Sequence, residues 1–554
     1  MLITDRRSRH VLAVCAAAAV LAGSLAACGA GKKDSGSSGS GSGGSTGGKP
    51  ITIGTTDKVV ALDPAGSYDN GSLMLETQVY QYLMAIPPGG KTPQPDAAES
   101  CSFTQPTEYT CKMKPGLKFS NGDPLTAKDV AFTYTRIVKI NDPNGPASLL
   151  ANMVSATASD DTTVVFKLKN ANDQTWPYII GTSAGPLVDS KVFPADKLLA
   201  DDKIIGSGQY KLGSYSKNNL VQLQANPNYA GAFKPKTADV TLKYYTQASN
   251  LKLDIQSGAI DVAWRSLTST DIDSLRNASG VKVHTGPGGE LRYMVFNFKT
   301  MPGGSDAQKR AVRRAVAYSV DRQSISDKVY KGTYKPAYSM IPDGLPGHVD
   351  AFKDEFGASP DKAKATSELQ QAGIKTPVTL NLEYTTDHYG PSSDQEYNEL
   401  KRQLEGTGLF KVNLQSTEFD TYSKERVADS YPIYQLGWFP DFPDGDNYVG
   451  PFLANNNFVH AHYCDADANG TPTGTNRPCD KDGVLPLLTA EETKTGDART
   501  QAFAQIQAKL ASGQLPYLPL LEGQQIAVAR SNVTGVDETL DISFIFRFWM
   551  LSKS

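Results

Sequence analysis

The chain lacks the features that would indicate several large classes of protein. Its 55 Lys and Arg residues nearly balance 58 Asp and Glu residues, whereas nucleic-acid-binding proteins usually carry a basic face. Beyond the N-terminus no apolar run approaches the ~20 residues that cross a bilayer as a helix. No Cys-x-x-Cys pair and no solenoid-type repeat occur. A zinc ribbon, a thioredoxin-like site and a repeat array are therefore not indicated.

The N-terminus has the pattern of an export signal. Basic residues Arg6, Arg7 and Arg9 precede an Ala-rich apolar core, and small residues lead into Leu25-Ala26-Ala27-Cys28. This pattern predicts a secretory signal peptide over residues 1–28. Its end resembles the bacterial lipobox, in which the cysteine is lipidated and becomes the new first residue. An ordinary cleaved signal with a chance cysteine is the alternative.

The next segment, residues 29–49, is almost only Gly, Ser, Lys and Thr. Such a chain behaves as a flexible coil with a mean reach of roughly 25 Å. We therefore expect a tether between a lipid on Cys28 and a folded body. The expected location is the extracytoplasmic face of a bacterial cell membrane.

Six cysteines are present, and four of them remain after Cys15 leaves with the signal and Cys28 takes the lipid. Four cysteines allow three pairings. We favour the pairs Cys101–Cys111 and Cys464–Cys479, because each brackets a turn-rich segment. Each small loop would contribute about 3 kcal/mol in the chain-entropy model.

The 554 residues exceed a single hydrophobic core, so two or three domains are expected. Strand-like runs such as Thr379-Leu-Asn-Leu alternate with helical patterns such as 501–510, which predicts a mixed α/β body. A helix is expected over 72–84 with Ser72 as its cap. Another is expected over 130–140, capped by Thr126 with Asp129 three residues on.

Several motifs occur in the order in which a known family carries them. They include Phe119-Ser-Asn-Gly122-Asp-Pro-Leu-Thr126-Ala-Lys-Asp129-Val, Leu253-Asp-Ile-Gln-Ser-Gly258-Ala-Ile-Asp261-Val, Tyr293-Met-Val-Phe-Asn297 and Gly437-Trp438-Phe-Pro-Asp441. Together they resemble the extracytoplasmic solute-binding proteins of family 5, the oligopeptide- and dipeptide-binding lipoproteins of ABC importers.

The resemblance implies a two-lobed periplasmic-binding-protein-like α/β fold of type II, with a ligand cleft between the lobes and an extra inserted domain. It places lobe I in 50–85, 204–290 and 522–554, the inserted domain in 86–203 and lobe II in 291–521. It implies a monomeric receptor, not an enzyme, without cofactor or metal. Its partners would be a peptide, with an oligopeptide as the expected cargo, and an ABC permease with its ATPase subunits.

The stretch 431–448 turns from an apolar run into a loop of aromatics, prolines and acids. An enclosed Asp441 would serve a ligand ammonium, a metal or acid/base chemistry, since a shielded, unpaired charge is costly. In peptide-binding members the Asp of Gly-Trp-x-x-Asp holds the peptide's α-ammonium, and the resemblance therefore favours the first use. Asp444 is expected to have a structural role. A surface carboxylate is the alternative for Asp441.

Five other residues are candidates for contact with the ligand. Gly437 would allow close backbone approach, and Trp438 and Trp264 would offer apolar surface, although core packing is an equally good account of both tryptophans. Tyr389 and Tyr68 complete the set. Dipeptide binders that resemble this chain carry an Arg for the peptide's carboxylate after a Thr-x-x-Leu strand. The corresponding segment, 379–391, has none, so longer peptides or a non-peptide solute (an oligosaccharide, an opine or a nickel complex) stay open.

Three weaker motifs suggest other chemistry. His460 and His462 are too few for a zinc site if Cys464 is oxidised. The Asp465–Asn469 segment copies half of a calcium loop but lacks its final Glu. Gly181-Thr-Ser183-Ala-Gly185 fits a hydrolase motif, yet no helical pattern follows it as a nucleophile elbow requires. An extracellular hydrolase and a surface adhesion lipoprotein are therefore distant alternatives.

Overall fold

The computed structural model describes residues 48–265, 267–385, 387–390, 392–454, 457–465 and 477–554. The predicted signal peptide, Cys28, nearly all of the tether and most of the calcium-like segment lie outside the described residues, so those interpretations stay predictions. Within the described ranges, no helix is both long enough and apolar enough to cross a membrane.

The β-strands form the sheets of the folded body. In chain order, those within the described residues are β1 (Ile51–Thr55), β2 (Met84–Ala85), β3 (Gln94–Pro95), β4 (Ala98–Gln105), β5 (Glu108–Met113), β6 (Met153–Ala158), β7 (Thr163–Leu168), β8 (Tyr210–Ser216), β9 (Leu220–Ala225), β10 (Asp239–Tyr244), β11 (Val262–Trp264), β12 (Val281–Gly286), β13 (Leu291–Phe296), β14 (Tyr334–Pro336), β15 (Val378–Tyr384), β16 (Phe410–Ser416), β17 (Ile433–Trp438), β18 (Tyr517–Gly523), β19 (Gln525–Arg530), β20 (Val533–Thr534) and β21 (Ser552–Lys553).

Helices cover the faces of the sheets. They are α1 (Asn70–Val79), α2 (Ala127–Ile140), α3 (Trp176–Ile179), α4 (Ala248–Ser257), α5 (Ser269–Leu275), α6 (Asp306–Ala317), α7 (Arg322–Lys328), α8 (Ala351–Phe356), α9 (Lys362–Gln371), α10 (Ser393–Gly406), α11 (Phe419–Val427), α12 (Asp446–Leu453), α13 (Pro478–Asp482), α14 (Leu485–Thr493) and α15 (Gly496–Ser512). Short 3₁₀ turns occur at Pro64–Gly66, Ala147–Leu150, Asp201–Lys203, Asp537–Thr539 and Phe548–Met550.

Two predicted helix starts have different outcomes. The capping box of Thr126 and Asp129 is present at the start of α2, as expected. The prediction for α1 was wrong at both ends. The extended residue before α1 is Asp69, whose carboxylate accepts from the N–H of Ser72 at 2.8 Å and caps the helix instead of Ser72. At the other end Tyr80 has an extended backbone, so the helix stops well before residue 84.

Three sheets organise the body. A seven-stranded mixed sheet has the order β12-β19-β11-β1-β10-β9-β8, and a six-stranded mixed sheet has the order β14-β18-β13-β17-β15-β16. A four-stranded antiparallel sheet has the order β4-β5-β7-β6. Their strands come from the ranges expected for lobe I, lobe II and the inserted domain, respectively, except for the last two residues of β18, which lie beyond 521. The boundaries themselves stay a prediction.

Each sheet has a hydrophobic core of its own. Phe442 connects two of them, because it follows β17 of the six-stranded sheet but is buried in the core of the four-stranded sheet, with its ring 5.4 Å from that of Tyr178. The loop after β17 is thereby held from a second side. This tie fixes the position of Asp441, its neighbour in the chain.

Both disulfides have the predicted pairing. Cys101 and Cys111 are directly opposite each other on β4 and β5. Cys464 is bonded to Cys479 in α13. Both bonds close short loops, as the turn-rich sequences between the cysteines indicate.

Candidate ligand-binding cleft

A cavity of about 370 Å³ opens between the seven-stranded and six-stranded sheets. One wall comes from Trp264 at the end of β11 and from β19, and the opposite wall comes from Arg292 on β13 and Tyr334 on β14. Such a volume is within the usual range of about 300–1,000 Å³ for sites of small ligands. Its position between two sheets is that of an interlobe cleft.

Trp264 and Tyr389 both line this cavity, as predicted for ligand-contacting residues. Trp264 is 3% exposed, and its ring stacks on Phe546 with centroids 4.2 Å apart. It therefore packs in the core and also presents an edge to the cleft. Tyr389 is likewise buried, and its ring lies under the guanidinium of Arg292 at 4.7 Å.

Gly437 lies against the ring of Tyr389. A Cβ at this position would be 2.7 Å from Tyr389 Cε1, closer than packed atoms approach. A glycine is therefore required to keep the ring in the cavity wall.

Trp438 faces away from the cavity. Its ring packs against Phe452 and Phe458 at 5.6 and 5.2 Å, and its Nε1 donates to Asn447 Oδ1 at 3.0 Å. In this arrangement Trp438 supports the loop after β17 rather than the cavity wall.

Asp441 lies in the loop after β17 and makes three hydrogen bonds. Its Oδ1 accepts from the hydroxyl of Tyr68 at 2.5 Å, its Oδ2 accepts from Asn447 Nδ2 at 3.0 Å, and its N–H donates to Asn447 Oδ1 at 2.9 Å. Burial raises the pKa of Asp441, against the hydrogen bonds from Tyr68 and Asn447, which lower it. Within the described ranges no Lys, Arg or His forms an ion pair with this carboxylate.

Asp441 does not line the large cavity. It borders a smaller space of about 30 Å³, which also touches Tyr178 and Phe544. Phe544 is the residue that lines both spaces. The cleft therefore has a large compartment and an acidic side compartment.

Residues 92–459, about two thirds of the 554 residues, match the profile of the bacterial extracellular solute-binding proteins, family 5. The chain belongs to this family. A probable D,D-dipeptide-binding periplasmic protein, DdpA of Escherichia coli, is 24% identical over 91% of this chain and 94% of its own length. The oligopeptide-binding protein OppA of Bacillus subtilis is 23% identical over 92% of this chain and 94% of its own.

Solved structures agree with this assignment at the level of the fold. The ABC transporter substrate-binding protein CtaP of Listeria monocytogenes superimposes with a TM-score of 0.75 at 24% identity, covering 92% of this chain and 99% of CtaP. The predicted family and the predicted two-lobed α/β fold are thus confirmed.

In this family 5 protein Asp444 has a structural role. Its carboxylate is 3% exposed and accepts from both terminal nitrogens of Arg499 at 2.6 and 2.7 Å. Arg499 also pairs with the buried Glu491 at 3.1 Å. This bidentate pair fastens the start of α12, and with it the loop that carries Asp441.

Arg265, Arg292 and Phe544 are among the cleft residues that the sequence patterns did not identify. A signal for Arg292 was present, because it is the one charge in the apolar run of β13. Arg292 is buried and pairs with Glu290 at 2.5 Å, and it also donates to the carbonyl of Tyr389 at 2.8 Å. Arg265 follows Trp264 directly, whereas no local pattern marks Phe544.

His388 stands at the edge of the large compartment. Its ring stacks on Phe419 with centroids 3.5 Å apart. Desolvation, together with the positive charge of Arg292, lowers the pKa of His388 to about 4. The imidazole is therefore neutral at neutral pH and adds no charge to the cleft.

The weaker motifs do not form a second site in the part of the chain that the structure describes. His462 Nε2 is 2.6 Å from Asp429 Oδ1, and no group of three metal-ligating side chains occurs there. Ser183 is buried, and an irregular segment follows it instead of the helix of a nucleophile elbow.

Proposed function

We propose that this chain captures peptides in the interlobe cleft and delivers them to the permease of an ABC import system. Two observations support the proposal: membership of a solute-binding family, and a cleft whose side compartment holds an acid that pairs with no cation among the described residues. Both curated relatives described above are named as peptide-binding proteins. Peptide binding for import is the function that agrees with all of these observations.

The observation that carries the peptide proposal is the environment of Asp441. Its carboxylate is half-buried, is held by neutral donors from Tyr68 and Asn447, and has no ion pair among the described residues. A carboxylate accepts more than two hydrogen bonds. A peptide's α-ammonium supplies both the missing charge and further donors, and charge-assisted hydrogen bonds are about twice as strong as neutral ones.

The cargo we infer is short. The large compartment has about 370 Å³, near the lower end of the range for ligand sites. A peptide that reaches Asp441 must also pass Phe544, which borders both compartments. We therefore favour peptides of a few residues over long oligopeptides.

Calorimetry with a pool of short peptides tests the proposal. Asp441→Ala is expected to lose peptide binding while the circular dichroism spectrum stays that of the wild type. Asp441→Asn separates charge from shape, because it keeps the size of the side chain but not the negative charge. Unchanged affinity in both variants would refute the assignment of Asp441.

We further propose that the mature chain is held at the extracytoplasmic face of the membrane by a lipid on Cys28. The lipobox-like Leu25-Ala26-Ala27-Cys28 and the Gly- and Ser-rich residues that follow support this proposal. Several acyl chains on one cysteine anchor a protein stably, whereas a single chain does so only marginally.

A further inference from the structure

We propose that Arg265 is the anion-binding residue of the large compartment and receives the carboxylate of the bound ligand. This inference rests on the proposed function, in which the cleft holds a peptide. It assigns the acid end of the cargo to the segment after β11 of the seven-stranded sheet, far in sequence from residues 379–391.

Arg265 has few partners for its charge. Its guanidinium carbon lies over the rings of Phe544 and Phe439, at 5.2 and 5.9 Å from their centroids. Its nearest acid is Asp57, with Nε and Oδ2 3.6 Å apart. Among the described residues it donates no hydrogen bond, and 23% of its side chain is exposed. A planar fork of N–H donors therefore borders the compartment without acceptors.

The other charges of the compartment do not neutralise Arg265. The lining residues that carry charge are Arg265, Arg292 and Glu290. Glu290 forms an ion pair with Arg292 at 2.5 Å and also accepts a hydrogen bond from the Tyr334 hydroxyl at 2.9 Å. The lining residues thus keep one positive charge, that of Arg265, and its acid partner Asp57 lies outside the lining. This positive charge favours an anionic group of the ligand. A carboxylate matches the guanidinium because two parallel hydrogen bonds form between them.

The backbone at this wall is strained. Arg265 has a φ of +58° and Phe544, whose ring it contacts, has a φ of +63°. Bulky residues rarely adopt the left-handed region. Such strain tends to persist where the surroundings hold a residue in place for a ligand. Here both strained residues face the same compartment, and one of them carries the Arg265 cation, whose ion pair with Asp57 is long and leaves the two terminal nitrogens without an acceptor among the described residues.

The test uses the full-length mature protein and four pools of random tripeptides: free, N-acetylated, C-amidated and blocked at both ends. Capture is read by mass spectrometry after size-exclusion separation. Wild type should bind the N-acetylated pool weakly, because that pool lacks the ammonium proposed for Asp441. It should retain the free pool and bind the amidated pool about tenfold to a hundredfold more weakly, the loss expected for hydrogen bonds to a charged group. Arg265→Gln should remove that preference. Arg276→Gln, which removes an exposed charge from the same half of the chain away from the cavity, should keep it.

Different results would contradict the role of Arg265 and the peptide-receptor function. Equal capture of acid and amide pools by wild type, or an unchanged preference in Arg265→Gln, would overturn the role of Arg265 and leave the peptide receptor standing. Capture of no pool would contradict the receptor. Crystals briefly soaked in bromide then test Arg265 by itself. Anomalous density beside the guanidinium in wild type but not in Arg265→Gln would support the anion site. No density in wild type would overturn it.

Discussion

The hydroxyl of Tyr68 donates to Asp441 Oδ1 at 2.5 Å, across 373 positions of sequence. Tyr68 belongs to the loop before α1, and Asp441 to the loop after β17 of the six-stranded sheet. The bond therefore joins the two halves of the cleft at the residue expected to hold the ligand's ammonium. One carboxylate thus bonds to residues on both sides of the cleft, Tyr68 on one side and Asn447 on the other.

Tyr68→Phe tests this connection, because it removes the donor and keeps the ring. One hydrogen bond to an ionised group contributes about 1.5–3 kcal/mol, so we expect peptide affinity to fall about tenfold or more, measured by calorimetry. Tyr338→Phe is the matched control, since its hydroxyl bonds to the carbonyl of Ala358 away from the cleft. Equal affinity in wild type and Tyr68→Phe would show that the bond does not support binding.

Gly437→Ala is expected to disturb both stability and binding. The new methyl would be 2.7 Å from the buried Tyr389 ring and 3.4 Å from Arg292 Nη1. Overpacking of this kind costs about 1–3 kcal/mol, measured by urea denaturation. Gly406→Ala, where no atom lies within 4 Å, should change stability by less than about 1 kcal/mol. Equal effects at the two glycines would mean that the ring of Tyr389 is not fixed.

Arg499→Met should destabilise the protein by about 3–5 kcal/mol, because it leaves buried Asp444 and Glu491 without their cation. Arg402→Met also removes an ion pair, with Glu399, but its side chain is 60% exposed. Its cost should stay below about 1 kcal/mol. Denaturant midpoints of the two variants provide the comparison, and a small cost for Arg499→Met would exclude the pair as the support of the Asp441 loop.

The raised pKa of the Glu522 carboxyl predicts how the stability of the protein depends on pH. Burial raises its pKa from 4.5 to about 7, and the backbone hydrogen bond from Asp343 only partly opposes this. The folded state therefore holds this proton more tightly than the unfolded chain, so the free energy of unfolding falls as pH rises from about 4.5 to about 7. At 8% exposure the full shift corresponds to roughly 3 kcal/mol.

Glu522→Gln keeps the neutral shape at every pH. The variant should equal wild type near about pH 4 and exceed it by up to roughly 3 kcal/mol near about pH 7.5, by urea denaturation. Exposed Glu538→Gln serves as the control and should show no such divergence. Parallel curves for wild type and Glu522→Gln would contradict the raised pKa.

Cys28→Ser tests the lipid anchor. Without a thiol to acylate, the protein should move from the membrane fraction to the culture fluid or the soluble extracytoplasmic fraction, followed by immunoblotting. Ser24→Ala, a nearby change that leaves the Leu25–Cys28 motif intact, should keep it on the membrane. Retention of Cys28→Ser in the lipid fraction would refute lipidation at this residue.

Local sequence was sufficient for the features that depend on short-range chemistry. The Thr126–Asp129 capping box, the Cys101–Cys111 hairpin and the order of the family motifs are all written in contiguous residues. Local sequence was not sufficient to place Trp264 and Trp438 relative to the cavity. Trp264 and Trp438 both end strands, yet one lines the cavity and the other packs on Phe452, because neighbours remote in sequence decide which way each ring faces.

The compartments of the cleft depend on contacts of the same remote kind. Phe544 comes from near the C-terminus and lines both the space that contains Arg265 and the space that Asp441 borders. No periodicity or spacing links these three residues in the sequence. Only the fold brings the Arg265 cation, the Asp441 carboxylate and the Phe544 ring into one cleft.

Mass spectrometry of the ligand that co-purifies with the protein from its native cells is the most direct test of the receptor proposal. The protein is isolated without denaturation, its ligand is released by acid, and Asp441→Ala is processed in parallel to identify background. We predict short peptides with free amino termini in the wild-type sample and their loss from the variant. A wild-type ligand population of oligosaccharides, opines or metal complexes without peptides would contradict the account.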